Sequence, residues 1–399
     1  MLDDSLLDDP AALQRADHEH ALLRLAGAGA RVRNALRLAE AAGIAQLRPD
    51  GRPRTVLVAG HGAALTAGQA LAALTATSSQ IDTLAPHDVA PVQHGRLATP
   101  AFTAGLVWQL PGWAGPLDLV VLATADGGEQ GLVSLAQQAY ARGCAIAVIA
   151  PAGSLLADAA LQVRALPLPY VAAAPYEAEE ESGPAEADLP AEEVGALWAF
   201  LTPLLALTEE LGVTQLPEGS LAGAADLLDE LAVRCRPDAA AYTNPAKDLA
   251  ARLSGTVPLL WADGPLSAVA AERFAAMLAE RAGRPALPGV LPQVLTAHRG
   301  MLVAKLGAAA DPDDFFRDRV EEPDPLLLQV VLLRRAAAEE DEYTDPGYAI
   351  SRARRLADAH GIRTSDLTTP EADPLRALAE LIALGDFAAV YLALATPAG

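Results

Sequence analysis

Residues 118–132 read DLVVLATADGGEQGL, an apolar strand running into a glycine-bearing turn and then into a helix. In an α/β protein that junction, between the carboxyl end of a strand and the amino end of a helix, is where ligands bind. Upstream, Thr55 to Ala59 form a short continuous apolar strand of the parallel-sheet kind, feeding Gly60, His61, Gly62, Ala63 and Ala64 and a helix to about Ala76. Downstream, Ala145 to Ala150 and the stretch from Leu161 to Leu166 supply a third and a fourth strand. Strands alternating with helices at this spacing predict a doubly wound parallel sheet. The handedness of βαβ units then places both glycine turns at one carboxyl edge.

Residues 10–46 read as two helices with Pro10 in a first turn, and His18, Glu19 and His20 fall in the first of them. Two histidines spaced i, i+2 do not converge on a helix, so no metal site is expected there. Residues 177–193, EAEEESGPAEADLPAEE, are acidic and aperiodic and predict a solvated loop. A helix from about Glu192 to Leu211 closes a first domain, residues 1–216. The second domain, 217–399, repeats the α/β theme: helices 220–233, 245–254, 265–282, 346–360, 373–384 and 386–395, with strands Val257–Ala262, Met301–Leu306 and Leu326–Leu333.

With 399 residues the chain is long enough for two cores. Aromatics make up only 4%, so those cores must be built from Ala, Leu and Val. The formal charge of −22 argues against nucleic acid and against an anionic membrane, since both want clustered Lys and Arg. No uninterrupted apolar run reaches the roughly 18 residues of a membrane span. The acidic start MLDDSLLDDP is unlike a secretory leader, and the only two cysteines, Cys144 and Cys235, suit a reduced cytoplasm. No cofactor is indicated.

Several motifs occur in one order: the turns at 60–64 and 124–131, Pro-Ala-Gly-Ser at 151–154, Asn244-Pro245-Ala246-Lys247, the helix end Leu278 to Ala282, Leu291-Pro292, and Leu384-Gly385-Asp386-Phe387 before Val390 to Leu394. Together they resemble the bifunctional phosphoglucose/phosphomannose isomerase family, over roughly residues 30–396. The resemblance implies two tandem sugar isomerase (SIS) domains, a homodimer, and aldose–ketose interconversion of six-carbon sugar phosphates. Such chemistry needs a phosphate cradle, a base moving a proton between C1 and C2, a cation near the enediolate and an acid/base pair for ring opening.

The family's first cradle turn ends in Ser, and here Ala64 stands in that place. Its second turn, Ser-x-Ser-Gly-Asn-Thr, corresponds to Thr124, Ala125, Asp126, Gly127, Gly128 and Glu129, so one hydroxyl is kept and two become carboxylates. At 4 Å and an effective dielectric near 20, unit charges repel by about 4 kcal/mol, so these carboxylates oppose a phosphate. Glu280 keeps the register of the family's general base, but its two flanking Asn are Ala279 and Arg281. The family histidine aligns with Leu295 or Thr296, three or two residues before His298. The family arginine after the fifth strand has no counterpart, and neither does its C-terminal lysine.

Each of these residues also has a structural reading. Glu280 can be a solvated helix-end carboxylate, His298 a surface residue beside Arg299, and His61 a cap or loop bond. Asp126 and Glu129 can favour the helix amino end through its dipole, or receive a cationic or hydroxyl-rich ligand or a metal. Two functions follow: a pseudoenzyme binding a sugar or sugar-phosphate-like derivative or a protein partner, or a residual isomerase with Glu280 as base and His298 recruited.

Overall fold

The structure, a computed structural model, describes residues 4–47, 51–75, 79–91, 100–173, 192–303, 327–336 and 348–396. The chain divides into two compact units, one of residues 23–229 and one of residues 230–399 together with 1–22.

The unit 23–229 is built on an all-parallel sheet of β1 (Thr55–Ala59), β2 (Gln80–Leu84), β3 (Asp118–Ala123), β4 (Ala145–Ala150) and β5 (Leu166–Pro169), in the order β2-β1-β3-β4-β5. Every residue of β1 and β3 is buried, because both faces of the central strands are covered and an unbroken apolar run is what such a strand needs. Helices Gln130–Ala141 and Leu155–Gln162 cover the face carrying Leu57, Val120, Leu122 and Val148. Helix Ala63–Thr75 lies on the other, where Gly68 meets Val58, and packs with helix Ala196–Glu210. The register Thr55↔Asp118 through Ala59↔Leu122 ends β1 and β3 on one line, so the turns that follow them stand side by side.

The second unit carries β6 (Thr256–Ala262), β7 (Leu287–Val290), β8 (Leu327–Arg335) and β9 (Arg363–Thr369), parallel, in the order β9-β8-β6-β7. Short helices Gln293–Ala297 and Arg299–Val303 and helix Tyr348–Ala359 cover the face of Trp261, Val330 and Leu332. Helices Gly264–Ala282 and Pro374–Leu394 pack together with helix Pro245–Leu253. Two parallel sheets with helices on them make the tandem doubly wound α/β architecture expected from the sequence.

Several expected elements move. Leu161 lies in the last turn of helix Leu155–Gln162 and the strand begins only at Leu166. Met301 to Val303 are helical where a strand was expected, and 304–306 lie outside the described residues. His18 to His20 sit between helices Pro10–Ala16 and Ala21–Ala26, with Asp17 accepting from the N–H groups of Ala21 and Leu22. The acidic loop falls outside the described residues except Glu192 and Glu193, which precede the helix at Ala196.

The two expected helices at 373–384 and 386–395 are one, Pro374–Leu394. Gly385 does not break it: a Cβ there would stand 3.1 Å from the Phe274 ring, so the glycine lets two long helices approach. This helix is also long and apolar enough to cross a membrane, with mean hydropathy 1.8, but 89% of that stretch is buried inside the protein. Its charges Glu380 and Asp386 interrupt the apolar run and hid it from a count of consecutive residues. Both are paired within the fold: Glu380 accepts from Thr369 Oγ1 at 2.6 Å, and Asp386 binds the buried Arg273 at 3.1–3.4 Å.

The Asn-Pro-Ala-Lys segment closes a loop. Asn244 Oδ1 accepts from the backbone N–H of Ala246 and Lys247, capping helix Pro245–Leu253, and Nδ2 donates to the Arg236 carbonyl. The buried Lys247 ammonium donates to the carbonyls of Pro237 and Ala239 at 2.6 and 2.8 Å and lies 5.4 Å from the Tyr391 ring. Tyr391 in turn donates to the carbonyl of buried Cys235 at 2.6 Å. The Asn-Pro-Ala-Lys and Leu-Gly-Asp-Phe segments therefore hold the second unit's helices together.

Candidate functional site

At the carboxyl edge of β3 the chain turns through Thr124. Its hydroxyl oxygen accepts from the backbone N–H of Asp126 and of Gly127, both at 3.1 Å, and donates to Glu129 Oε1 at 2.5 Å. The turn needs glycine at 127: φ is +77°, and a Cβ would stand 2.3 Å from Ser154 Oγ in the third turn, 151–154. Ser154 caps helix Leu155–Gln162 through the Ala157 N–H, so the second and third turns lock together.

Glu129 occupies the cap position of helix Gln130–Ala141, yet its side chain makes no capping bond. The carboxylate folds back into the turn and is fully buried. Oε1 accepts from Thr124 and, at 3.0 Å, from Nε2 of His61 in the first turn. Oε2 is buried and meets no donor among the described residues. Besides standing at the amino end of its helix, Glu129 thus bridges the two glycine turns, because a glutamate is long enough to reach past the cap to a histidine opposite.

Behind the first turn the Trp108 indole N–H lies 3.3 Å from the Gly60 carbonyl and 3.0 Å from that of Leu84. Ala64 is buried at the start of its helix and offers no polar atom, and Gly62 faces Glu192, whose Oε2 is 2.5 Å from where a Cβ would lie. Asp126 is exposed. Its carboxyl is held above the usual carboxylate range by desolvation first and the Glu129 charge second, with His61 opposing. His61, Thr124, Asp126, Glu129 and the glycines at 60, 62, 127 and 128 therefore form one acidic cluster across two turns. Glu192 was missed by sequence reading because it lies over 60 residues away in a stretch with no periodicity, and Trp108 because nothing local marks an indole as a turn support.

In the second unit Glu280 lies near the end of helix Gly264–Ala282 with its side chain 40% exposed, 3.6 Å from Arg281. Arg281, where the family has Asn, is 10% exposed and pairs with Glu19 at 2.5 Å. His298 is buried rather than at the surface. Its Nδ1 accepts from the Trp261 indole N–H at 3.0 Å, which fixes the neutral form with the proton on Nε2.

Burial lowers the His298 pKa below the ordinary histidine value. A depressed folded value means the stabilisation is complete above about pH 6.5 and is lost as pH falls through the folded pKa. We expect His298→Asn, whose amide oxygen replaces Nδ1 as acceptor, to unfold with less dependence on pH between about 7 and 5. Thermal melts across that range check it, and parallel pH profiles for the two proteins would refute it.

Comparison with known proteins agrees with this architecture. Residues 242–397 match the family described as the bacterial phospho-glucose isomerase C-terminal SIS domain. No match was found among the curated proteins. Among solved structures the fold is similar to a hypothetical protein from Thermus thermophilus, at 15% identity and TM-score 0.55, covering 96% of this chain and 88% of that one. It is also similar to the C-terminal domain of glucosamine-fructose-6-phosphate aminotransferase from Francisella tularensis, at 12% identity and TM-score 0.52, covering 94% and 96%.

Proposed function

We propose, from the premise that this chain is a tandem SIS-domain protein whose second domain is of the bacterial phospho-glucose isomerase C-terminal type, that it is a pseudoenzyme. It binds a carbohydrate derivative lacking phosphate, at the turns 60–64 and 124–129, and acts as a cytoplasmic homodimer. The observation that supports this best is the Glu129 carboxylate, buried in the second turn and bonded to Thr124 and His61. The N–H groups of Asp126 and Gly127, which an anion would use, are bonded to Thr124. A phosphate entering there would meet the carboxylates of Glu129, Asp126 and Glu192. A hydroxyl or ammonium group would find the carboxylate oxygen Oε2.

Coupled assays from glucose 6-phosphate and mannose 6-phosphate to fructose 6-phosphate are expected to show no turnover above background. Turnover in the ordinary enzymatic range, on the order of 1–10³ s⁻¹, would overturn the proposal. If such turnover is found, Glu280→Gln tests the residual isomerase, since loss of the proton-moving carboxylate should abolish it. Glucosamine, hydroxyl-rich and cationic, should raise the melting temperature, and Glu129→Gln should remove the rise.

A further inference from the structure

On the second unit an open pocket of about 600 Å³ lies between the short helices Gln293–Ala297 and Arg299–Val303 and the helix Tyr348–Ala359. Its apolar lining comes from Pro292, Leu295 and Leu356, and its charge from Arg299, Arg352 and Arg355. The volume is that of a small-molecule site. Positions 352 and 355 are three apart on one helix, so the two guanidinium groups leave the same side, while Ile350, Ala353 and Ala357 face the core.

The charge is what marks this pocket. The chain carries 51 acidic against 29 basic residues, and neighbouring arginines bind carboxylates: Arg354 on the same helix binds Asp366 at 2.6 Å, and Arg376 binds Glu371 at 2.6 Å. Arg299, Arg352 and Arg355 make no ion pair among the described residues. Three like charges around one pocket repel each other. An anion seated among them removes that repulsion, and guanidinium forks bind phosphoryl oxygens two at a time. The apolar wall suits a ring or hydrocarbon attached to the anion.

We infer that this pocket binds a small phosphate monoester whose organic part lies against Pro292, Leu295 and Leu356. The pocket is lined by residues of the second unit and stands whether or not the glycine-turn cluster takes an unphosphorylated sugar.

Phenyl phosphate is a minimal probe, with phenol and inorganic phosphate as its two halves. Calorimetric titration of the full chain should give saturable 1:1 binding with Kd near 1 mM or tighter, on the order of −4 kcal/mol. Phenol and inorganic phosphate should each bind at least about tenfold more weakly. Arg352→Glu with Arg355→Glu should weaken phenyl phosphate at least about tenfold, and salt should weaken it too. Arg299→Gln, which creates no new acidic group, should weaken it in the same direction if the double variant does not fold. No binding of phenyl phosphate at about ten times that Kd, or binding unchanged in the folded variants, overturns the inference.

Discussion

Replacing Glu129 by threonine and Asp126 by serine together is expected to raise the affinity of the first unit for a sugar phosphate. Each replacement removes a negative charge that would oppose the ligand by up to about 4 kcal/mol at 4 Å and an effective dielectric near 20, and each adds a hydroxyl at the position where the resembling family has one. His61 gains as well: its Nε2, 3.0 Å from Glu129 Oε1, is released to donate to a phosphoryl oxygen. The double variant should bind fructose 6-phosphate with a Kd in the low millimolar range, roughly tenfold or more tighter than wild type at this site. Both proteins are best compared in an Arg352→Glu, Arg355→Glu background, so that the second-unit pocket adds nothing to the signal. Equal melting temperatures with and without the sugar phosphate in both proteins would mean that the carboxylates are not what keeps phosphate out.

Arg273→Ala should be the most damaging single change to the second unit. Arg273 and Asp386 are nearly fully buried, with side-chain exposures of 4% and 3%, and are held at 3.1–3.4 Å. Truncating the arginine leaves Asp386 charged inside the packing of helices Gly264–Ala282 and Pro374–Leu394, a loss of about 3–5 kcal/mol. That corresponds to a fall of roughly 10 °C in the melting of a unit this size. Replacing both partners, Arg273→Met with Asp386→Leu, removes the charge along with its counterion and should recover most of the loss. Urea denaturation of the three proteins decides it: if the double variant is no more stable than Arg273→Ala, the pair contributes by its geometry rather than by mutual neutralisation.

What could be read from the sequence follows which side chains report on burial. β1, β3, β4 and β6 sit in sheet interiors and show it as unbroken apolar runs, so they were expected nearly where they lie. The edge strands β2, Gln80–Leu84, and β9, Arg363–Thr369, are covered less completely and carry Gln, Asp, Arg and Thr, so nothing in their local pattern separates them from loop. β7 is short, contains Pro288 and Gly289, and was missed for the same reason. The C-terminal helix was split because Gly385 reads as a breaker until Phe274 is seen against it.

The two glycine turns were legible in their position in the fold but not in their wiring. Strand, glycine turn and helix place Thr124 to Glu129 at the sheet's edge. Whether Glu129 caps its own helix or reaches His61 depends on what stands opposite, over 60 residues away in sequence. His298 shows the same limit, since only the fold sets it against Trp261.

The way Glu129 is held bears on how the turn keeps its shape. A binding loop that waits for an anion is organised by its ligand and is looser without one. Here the organising charge is covalently part of the chain: it joins the first glycine turn through His61 and the second through Thr124, whose hydroxyl gathers the loop's own amides. The loop is thus pre-tensioned by a permanent internal counterpart, and hydrogen exchange at the Asp126 and Gly127 amides should be as slow in the empty protein as in any complex it forms.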